Sequence, residues 1–213
     1  MFSEEDRNRV KPQLVLEQGI KPNTGSETIY IPFDWAEINQ FPTLTPYDKI
    51  VYVGNDYRRR EDIEEKLIPF SIKYPKIIKF YGNWLKDSQK DIREKWNNIE
   101  FNSRVGFNSF REIYSHALFS PLLSPPDYKE RGHMTARIIE ILFWGSIPVG
   151  FSDFYGIEKW LPSQLIVNKD NTLENVYLNL KKMGFFDRIN LRNQLINRLK
   201  FHDVENFINK IIK

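Results

Sequence analysis

The fold is decided by the stretch Ile50-Val51-Tyr52-Val53-Gly54-Asn55-Asp56-Tyr57-Arg58-Arg59-Arg60. Its first four residues are hydrophobic without interruption, as in a parallel strand that helices cover on both faces. A glycine then permits a tight turn, and an amphipathic segment begins at about Glu61. This order predicts a strand, a loop and a helix, which is the repeating unit of an α/β sheet.

The same alternation continues along the chain after this stretch. We predict six strands, at residues 50–53, 76–81, 99–103, 118–123, 147–150 and 164–167. Apolar residues at helical spacing predict helices between and after them, at 108–117, 172–183, 186–200 and 203–212, with Gly184 as a stop between two of these. The fold class we expect is therefore α/β, a doubly wound parallel sheet with a C-terminal helical extension.

Residues 1–46 have a different pattern. Prolines recur at short intervals and remove backbone donors, so we expect short extended pieces at 14–16 and 28–31 within a connector. The predicted division is a connector at 1–46, an α/β domain at 47–183 and C-terminal helices at 184–213 that pack on it.

Composition excludes several classes of protein. The chain has 213 residues, of which 41% are hydrophobic, so it can form a packed core. It has no cysteine and three histidines, which leaves no disulfide framework and makes a metal site unexpected. The net charge of +3 gives no support to a nucleic-acid partner. No stretch is long and apolar enough to span a membrane and the N-terminus is acidic, so the expected location is the cytoplasm.

Two loops that follow strands carry candidate ligand-binding residues. Gly54 followed by Arg58 and Arg59 is suited to a diphosphate, because free backbone N–H groups and guanidinium forks both bind anions. The alternative is a turn glycine and a solvated arginine run paired with nearby carboxylates. Arg137 and Glu140 are three residues apart on one side of an apolar helix, where they form either a structural ion pair or part of a polar binding site.

Taken in order, these features resemble a known family. The sequence Arg137-Ile138-Ile139-Glu140, followed by Gly145-Ser146-Ile147-Pro148-Val149, comes after a strand that ends at Gly54 and a strand that leads into Ser124-Pro125. This arrangement resembles the nucleotide-sugar-binding C-terminal half of GT-B glycosyltransferases, in particular the family-1-like transferases and the spore-maturation-protein group. The resemblance covers about residues 47–168, and it implies a Rossmann-like domain.

The resemblance also implies roles for individual residues. Glu140 would accept hydrogen bonds from the ribose hydroxyls, and Arg59, with Arg58 as the substitute one residue earlier, would meet the diphosphate. Thr135 and Arg137 begin the helix that faces the phosphates, so Arg59 and Arg137 would stabilise the leaving diphosphate. Further substrate contacts would come from Gly54, His133 and Asp153, which lies just after a strand and would reach a sugar hydroxyl.

The chain departs from the family pattern in two respects. The family's commonest form has a second glutamate eight residues before the ribose glutamate, and Gly132 stands there, followed by His133. A GT-B enzyme has two such domains, whereas the prediction here is one domain preceded by the remnant of another, so the acceptor-side domain would be missing or supplied by a partner chain. The expected function is glycosyl transfer from a nucleoside-diphosphate sugar without metal or other cofactor. The alternative is a non-catalytic nucleotide- or sugar-binding module or subunit.

Overall fold

The structure is a computed structural model and describes residues 16–18, 27–29 and 48–199. The backbone of the first two segments forms a short parallel pair, in which strand β1 (Leu16–Gln18) lies beside strand β2 (Glu27–Ile29). These strands overlap the extended pieces predicted at 14–16 and 28–31. The predicted helix at 203–212 lies outside the described residues. In the described part of the chain, no helix is long and apolar enough to cross a membrane.

Six parallel strands form the main sheet, in the spatial order β5-β4-β3-β6-β7-β8. Their bounds are β3 Lys49–Val53, β4 Ile78–Tyr81, β5 Glu100–Asn102, β6 Ala117–Pro121, β7 Pro148–Phe151 and β8 Ile166–Val167. In chain order, β3, β4 and β5 run from the centre of the sheet to one edge, and β6, β7 and β8 run from the centre to the other edge. Between β3 and β6 the direction of winding reverses, and in open α/β sheets ligands bind beside such a point. The predicted doubly wound sheet is confirmed.

Helices cover the sheet, and the apolar face predicted for the helix at 172–183 is present. The bounds of the helices are Lys90–Lys95, Phe110–Ser115, Pro126–Arg131, Arg137–Phe143, Leu173–Lys182 and Phe185–Leu199, together with a continuous helical segment over 60–73. In Leu173–Lys182 the four stripe residues Leu173, Val176, Tyr177 and Leu180 are all buried. Thr172 caps this helix, since its Oγ1 accepts a hydrogen bond from the Asn175 N–H at 3.2 Å.

The helical segment 60–73 contains a π-helical turn, Ile63–Leu67, between the α-helical pieces Arg60–Asp62 and Ile68–Lys73. Pro69 explains the interruption. It has no N–H, so it cannot bond the carbonyl group four residues earlier, and the chain passes through a wider turn at that point.

Three local predictions differ from the structure. The helix predicted at 108–117 is shorter, because a 3₁₀ turn, Phe107–Ser109, precedes Phe110–Ser115. The strand predicted at 164–167 is reduced to β8, because Pro162 starts a 3₁₀ turn at Ser163–Leu165. The helix Pro126–Arg131 was not predicted, although proline at its first position and Gly132 with φ of 63° after its end are the usual signals for its bounds.

Candidate functional site

Two adjoining cavities open at the carboxyl end of β3. The larger has a volume of about 810 Å³ and extends along the loops that follow β4 and β5. The smaller, of about 340 Å³, lies between the ends of β3 and β6. Val53, Gly54, Asn55 and Arg137 line both. The two cavities are therefore parts of one cleft, at the point where the winding of the sheet reverses.

Two glycines bring the loops of this cleft into backbone contact. The Gly54 N–H donates to the Tyr81 carbonyl at 2.9 Å, which continues the sheet one residue beyond β3. A Cβ atom at Gly82 would lie 2.1 Å from the Gly54 carbonyl oxygen. Only glycine fits at position 82 while the two loops stay this close. The loops after β3 and β4 are therefore in close backbone contact where both line the larger cavity.

Of the three consecutive arginines after β3, two form ion pairs at the surface and one lines the cleft. Arg58 has a φ of 55° and pairs with Asp127 at 2.8 Å, and Arg60 approaches Glu64 at 3.7 Å. Both pairs are solvated, as the alternative interpretation of this loop predicts. Arg59 instead lines the smaller cavity.

Arg59 is anchored by the backbone. Its Nε donates to the Leu123 carbonyl at 3.1 Å, and one Nη donates to the Tyr57 carbonyl at 3.2 Å. These two bonds use two of the five donors of a guanidinium group. Within the described residues the remaining donors have no protein acceptor, so they can bind a ligand in the cavity.

Arg137 lies at the centre of the cleft. Its backbone N–H donates to Thr135 Oγ1 at 3.4 Å, where the helix Arg137–Phe143 begins. One Nη approaches Glu140 Oε2 at 2.6 Å and donates to the Tyr114 hydroxyl at 3.2 Å. The guanidinium carbon lies 5.8 Å from the centre of the Phe110 ring, a cation–π distance.

Both interpretations of Arg137 and Glu140 are compatible with this arrangement. The residues form an ion pair, and both also line the smaller cavity, together with Thr135. The contact uses Oε2 of Glu140, which leaves Oε1 to other donors. Since a carboxylate has two acceptor oxygens, the pair does not prevent Glu140 from binding a hydroxyl group.

The electrostatics of the smaller cavity favour an anion. Burial raises the pKa of Tyr52 and of Tyr114 to about 12, so both phenols are neutral at pH 7. Burial acts to lower the pKa of Arg137, but Tyr114 and Glu140 outweigh it and the pKa is raised. Among the described residues, the charged ones that line this cavity are Arg59, Arg137 and Glu140, which together leave one net positive charge.

Three predicted site residues are not among the described residues that line the cleft. Arg58 is in its surface pair with Asp127. His133 stacks on Tyr128, with ring centres 4.2 Å apart, and burial lowers its pKa. The third is Asp153. The roles of these residues in substrate binding stay predictions.

Asp153 belongs to a closed cluster of four charges, the lysine–aspartate ring. Its Oδ2 contacts Lys66 at 2.6 Å and Lys129 at 2.7 Å, and the same two ammonium groups contact Asp62 Oδ1 at 3.0 and 2.8 Å. Burial acts to raise the pKa of Asp153, but hydrogen bonds from the two lysines outweigh it and the pKa is lowered. The ring joins the helical segment 60–73, the helix Pro126–Arg131 and the loop after β7.

Sequence reasoning missed three polar residues of the larger cavity, namely Asn55, Asn83 and Arg104. Each follows a strand at the carboxyl edge, and this position is the signal that identifies them. Tyr114 lies in the helix predicted at 108–117, and no role in the site was predicted for it. No sequence pattern indicates that its hydroxyl contacts Arg137, because the two residues lie on different helices.

Among the described residues, no group of three or more histidine, aspartate or glutamate side chains is placed to hold a metal ion. The polar side chains among the described residues lining the cleft are instead guanidinium groups, amides, hydroxyl groups and one carboxylate. This set of groups is suited to a phosphorylated, hydroxyl-bearing ligand.

No protein-family model matches the sequence, and no curated protein matches it. Solved structures do match the fold. The phage T4 β-glucosyltransferase, in a mutant complex with UDP-glucose, aligns with a TM-score of 0.62 and 20% identity over 93% of this chain and 62% of that chain. The chain thus spans about three-fifths of the length of that enzyme.

Two further structures share the arrangement. TarM of Staphylococcus aureus, in complex with UDP and other ligands, aligns with a TM-score of 0.61 and 14% identity over 99% of this chain and 42% of that chain. HepE of Anabaena, in complex with UDP-glucose, aligns with a TM-score of 0.62 and 12% identity over 99% of this chain and 67% of that chain. The fold is that of the GT-B glycosyltransferases, as the sequence resemblance implies. The particular subgroup stays a prediction.

Proposed function

We propose that this chain binds a nucleoside-diphosphate sugar and is the donor-binding part of a glycosyltransferase. The observation that carries the proposal is that Arg59, Arg137 and Glu140 line one cavity where the winding of the sheet reverses. They come from the loop after β3 and from the helix before β7, more than seventy residues apart in sequence. A cation pair beside a carboxylate matches a diphosphate joined to a ribose.

In the proposed reaction, the bond between the anomeric carbon and the diphosphate oxygen breaks, and negative charge develops on the departing diphosphate. Arg59 and Arg137 stabilise that charge, because their guanidinium donors are already fixed by backbone and side-chain contacts. Glu140 holds the ribose through Oε1. An acceptor hydroxyl forms the new bond to the sugar and gives its proton to a base outside this set of residues.

UDP-glucose is the donor to test first. The phage T4 and Anabaena proteins were each solved with UDP-glucose, and their folds match this chain. The expectation that transfer needs no metal has no support from these structures, since one structure of the phage enzyme is a complex with UDP and Mn²⁺. Donor titrations should therefore be made with and without Mn²⁺.

Calorimetric titration of the purified chain tests the proposal. UDP and UDP-glucose should bind and uridine should bind more weakly, because uridine lacks the phosphates that the arginines recognise. Arg58→Ala is the matched control, since Arg58 adjoins Arg59 in sequence but pairs with Asp127 on the surface. Absence of binding by all nucleoside diphosphates, with or without Mn²⁺, would refute the proposal.

A second candidate is a nucleotide-binding module without catalytic activity. The observation that favours it is that, of the described residues lining the two cavities, Glu140 is the only one with a carboxylate and none is a histidine. A general base for the acceptor is thus not evident among these residues. UDP-glucose hydrolysis and transfer assays separate the candidates, because a binding module would hold UDP without turning over UDP-glucose.

A further inference from the structure

Tyr114 is completely buried beneath the cleft, near the end of the helix Phe110–Ser115. Its hydroxyl oxygen accepts a hydrogen bond from the Arg137 guanidinium at 3.2 Å. Ser120 of β6 is also buried and lines the smaller cavity. The Tyr114 phenol therefore holds the Arg137 guanidinium from beneath the cleft.

Tyr114 and Glu140 act on Arg137 in different ways. Glu140 carries a negative charge and offsets the charge of the arginine. Tyr114, whose pKa is raised to about 12 by burial, is a neutral acceptor at pH 7, so it orients the guanidinium without neutralising it. The Phe110 ring, whose centre lies 5.8 Å from the guanidinium carbon, also limits the movement of the Arg137 guanidinium group.

We propose that Tyr114 is a positioning residue, which keeps the Arg137 guanidinium directed into the cleft for the diphosphate while Glu140 is engaged by hydroxyl groups of the ligand. This inference rests on the proposed function, because the diphosphate is the ligand that Arg137 would bind. Without the phenol oxygen, the ion pair with Glu140 is the main restraint on the guanidinium, and a ligand that engages Glu140 weakens that restraint.

Tyr114→Phe tests this role, because it removes one oxygen and keeps the buried ring. UDP affinity should fall roughly three- to tenfold, the effect of one hydrogen bond, while uridine affinity changes less than about twofold. Tyr177→Phe is the matched control. Tyr177 is also buried, but its hydroxyl contacts Lys181 and it lines neither cavity of the cleft.

A double-mutant cycle separates positioning from a purely structural role. In an Arg137→Ala background, Tyr114→Phe should cause no further loss of UDP affinity, because the residue it positions is gone. A loss of the same size in that background would overturn the proposal. Unchanged UDP affinity in the folded single variant, or equal losses for UDP and uridine, would also overturn it.

Nitrogen-15 NMR of the guanidinium groups supplies a readout that needs no ligand. The Arg137 signal, assigned by its loss in Arg137→Ala, should show hindered rotation in the parent and in Tyr177→Phe, and faster rotation in Tyr114→Phe. Equal rotation in all three proteins would overturn the positioning role. If the parent binds no nucleoside diphosphate, the proposed function fails, and this comparison still decides whether Tyr114 restrains Arg137.

Discussion

At the residue scale, the proposed role of Glu140 is to bind the ribose, which a simple anion lacks. We expect Glu140→Ala to weaken UDP binding by about 1–3 kcal/mol, because it removes a charged hydrogen-bond acceptor for the ribose. The variant should fold, since Glu140 is only partly buried. Calorimetry with UDP and with inorganic pyrophosphate measures the effect. Pyrophosphate has no ribose, so an equal loss for both ligands would assign Glu140 to the ion pair alone.

The two cleft arginines should affect binding of the phosphates, whereas Glu140 should affect binding of the ribose. Arg59→Ala and Arg137→Ala are each expected to weaken UDP binding more than uridine binding, because a guanidinium pairs with phosphate oxygens. Arg58→Ala should leave both affinities close to those of the parent, since its pair with Asp127 is solvated. Equal losses for UDP and uridine in the two cleft variants would mean that these arginines act through the structure of the loop.

At the scale of elements, the lysine–aspartate ring should stabilise the packing of three segments near the cleft. Asp62→Asn leaves Lys66 and Lys129 to share the single carboxylate of Asp153, and Asp62 is only 8% exposed. We expect the free energy of unfolding to fall by about 1–3 kcal/mol, as for other buried charged hydrogen bonds. Urea denaturation followed by circular dichroism measures the change.

Glu64→Gln is the control for this prediction. Glu64 lies in the same helical segment and contacts Lys95 at 2.7 Å, but its side chain is 35% exposed. Its replacement should cost less than about 1 kcal/mol, because solvent screens the pair. A cost for Asp62→Asn that is no larger than the cost for Glu64→Gln would show that the closed ring adds nothing to an ordinary surface pair.

The sequence was sufficient to predict the strands and the main helices, because their hydrophobic periods are local. It also indicated that Gly54, Arg59, Arg137 and Glu140 lie at one edge of the sheet, because they follow a strand end or a helix start, but it assigned no site residues to the loops after β4 and β5, which line the larger cavity. The sequence did not show why Arg59 lines the cleft and Arg58 does not. That difference depends on a positive φ at Arg58 and on acceptors at Leu123 and Asp127. The involvement of Asp153 with two lysines likewise depends on contacts between distant segments.

At the scale of the whole molecule, the candidate residues line one cleft at the edge of a single sheet. Arg59, Arg137 and Glu140 all belong to the loops and helices of a single sheet. Transfer requires an acceptor oxygen within about 3–3.5 Å of the anomeric carbon, in line with the departing diphosphate. We therefore expect this chain alone to bind UDP-glucose but to transfer little or no glucose.

Transfer from a panel of UDP-sugars to simple acceptors, with and without an added partner domain, measures this directly. Calorimetry on the same preparation confirms that the donor is bound. Rapid turnover by residues 1–213 alone, with the protein shown to be monomeric, would contradict the expectation and would locate an acceptor site within this chain.

The loop after β3 is secured by the Arg59 hydrogen bond to the Leu123 carbonyl, by the Gly54 N–H bond to the Tyr81 carbonyl and by the close backbone approach of Gly54 and Gly82. A ligand therefore meets a surface that is already ordered, and little conformational entropy remains to be lost on binding. The heat-capacity change of nucleotide binding should then reflect the apolar surface that the ligand covers, without an added contribution from the folding of a loop. Amide hydrogen exchange in this loop should already be slow before the nucleotide arrives.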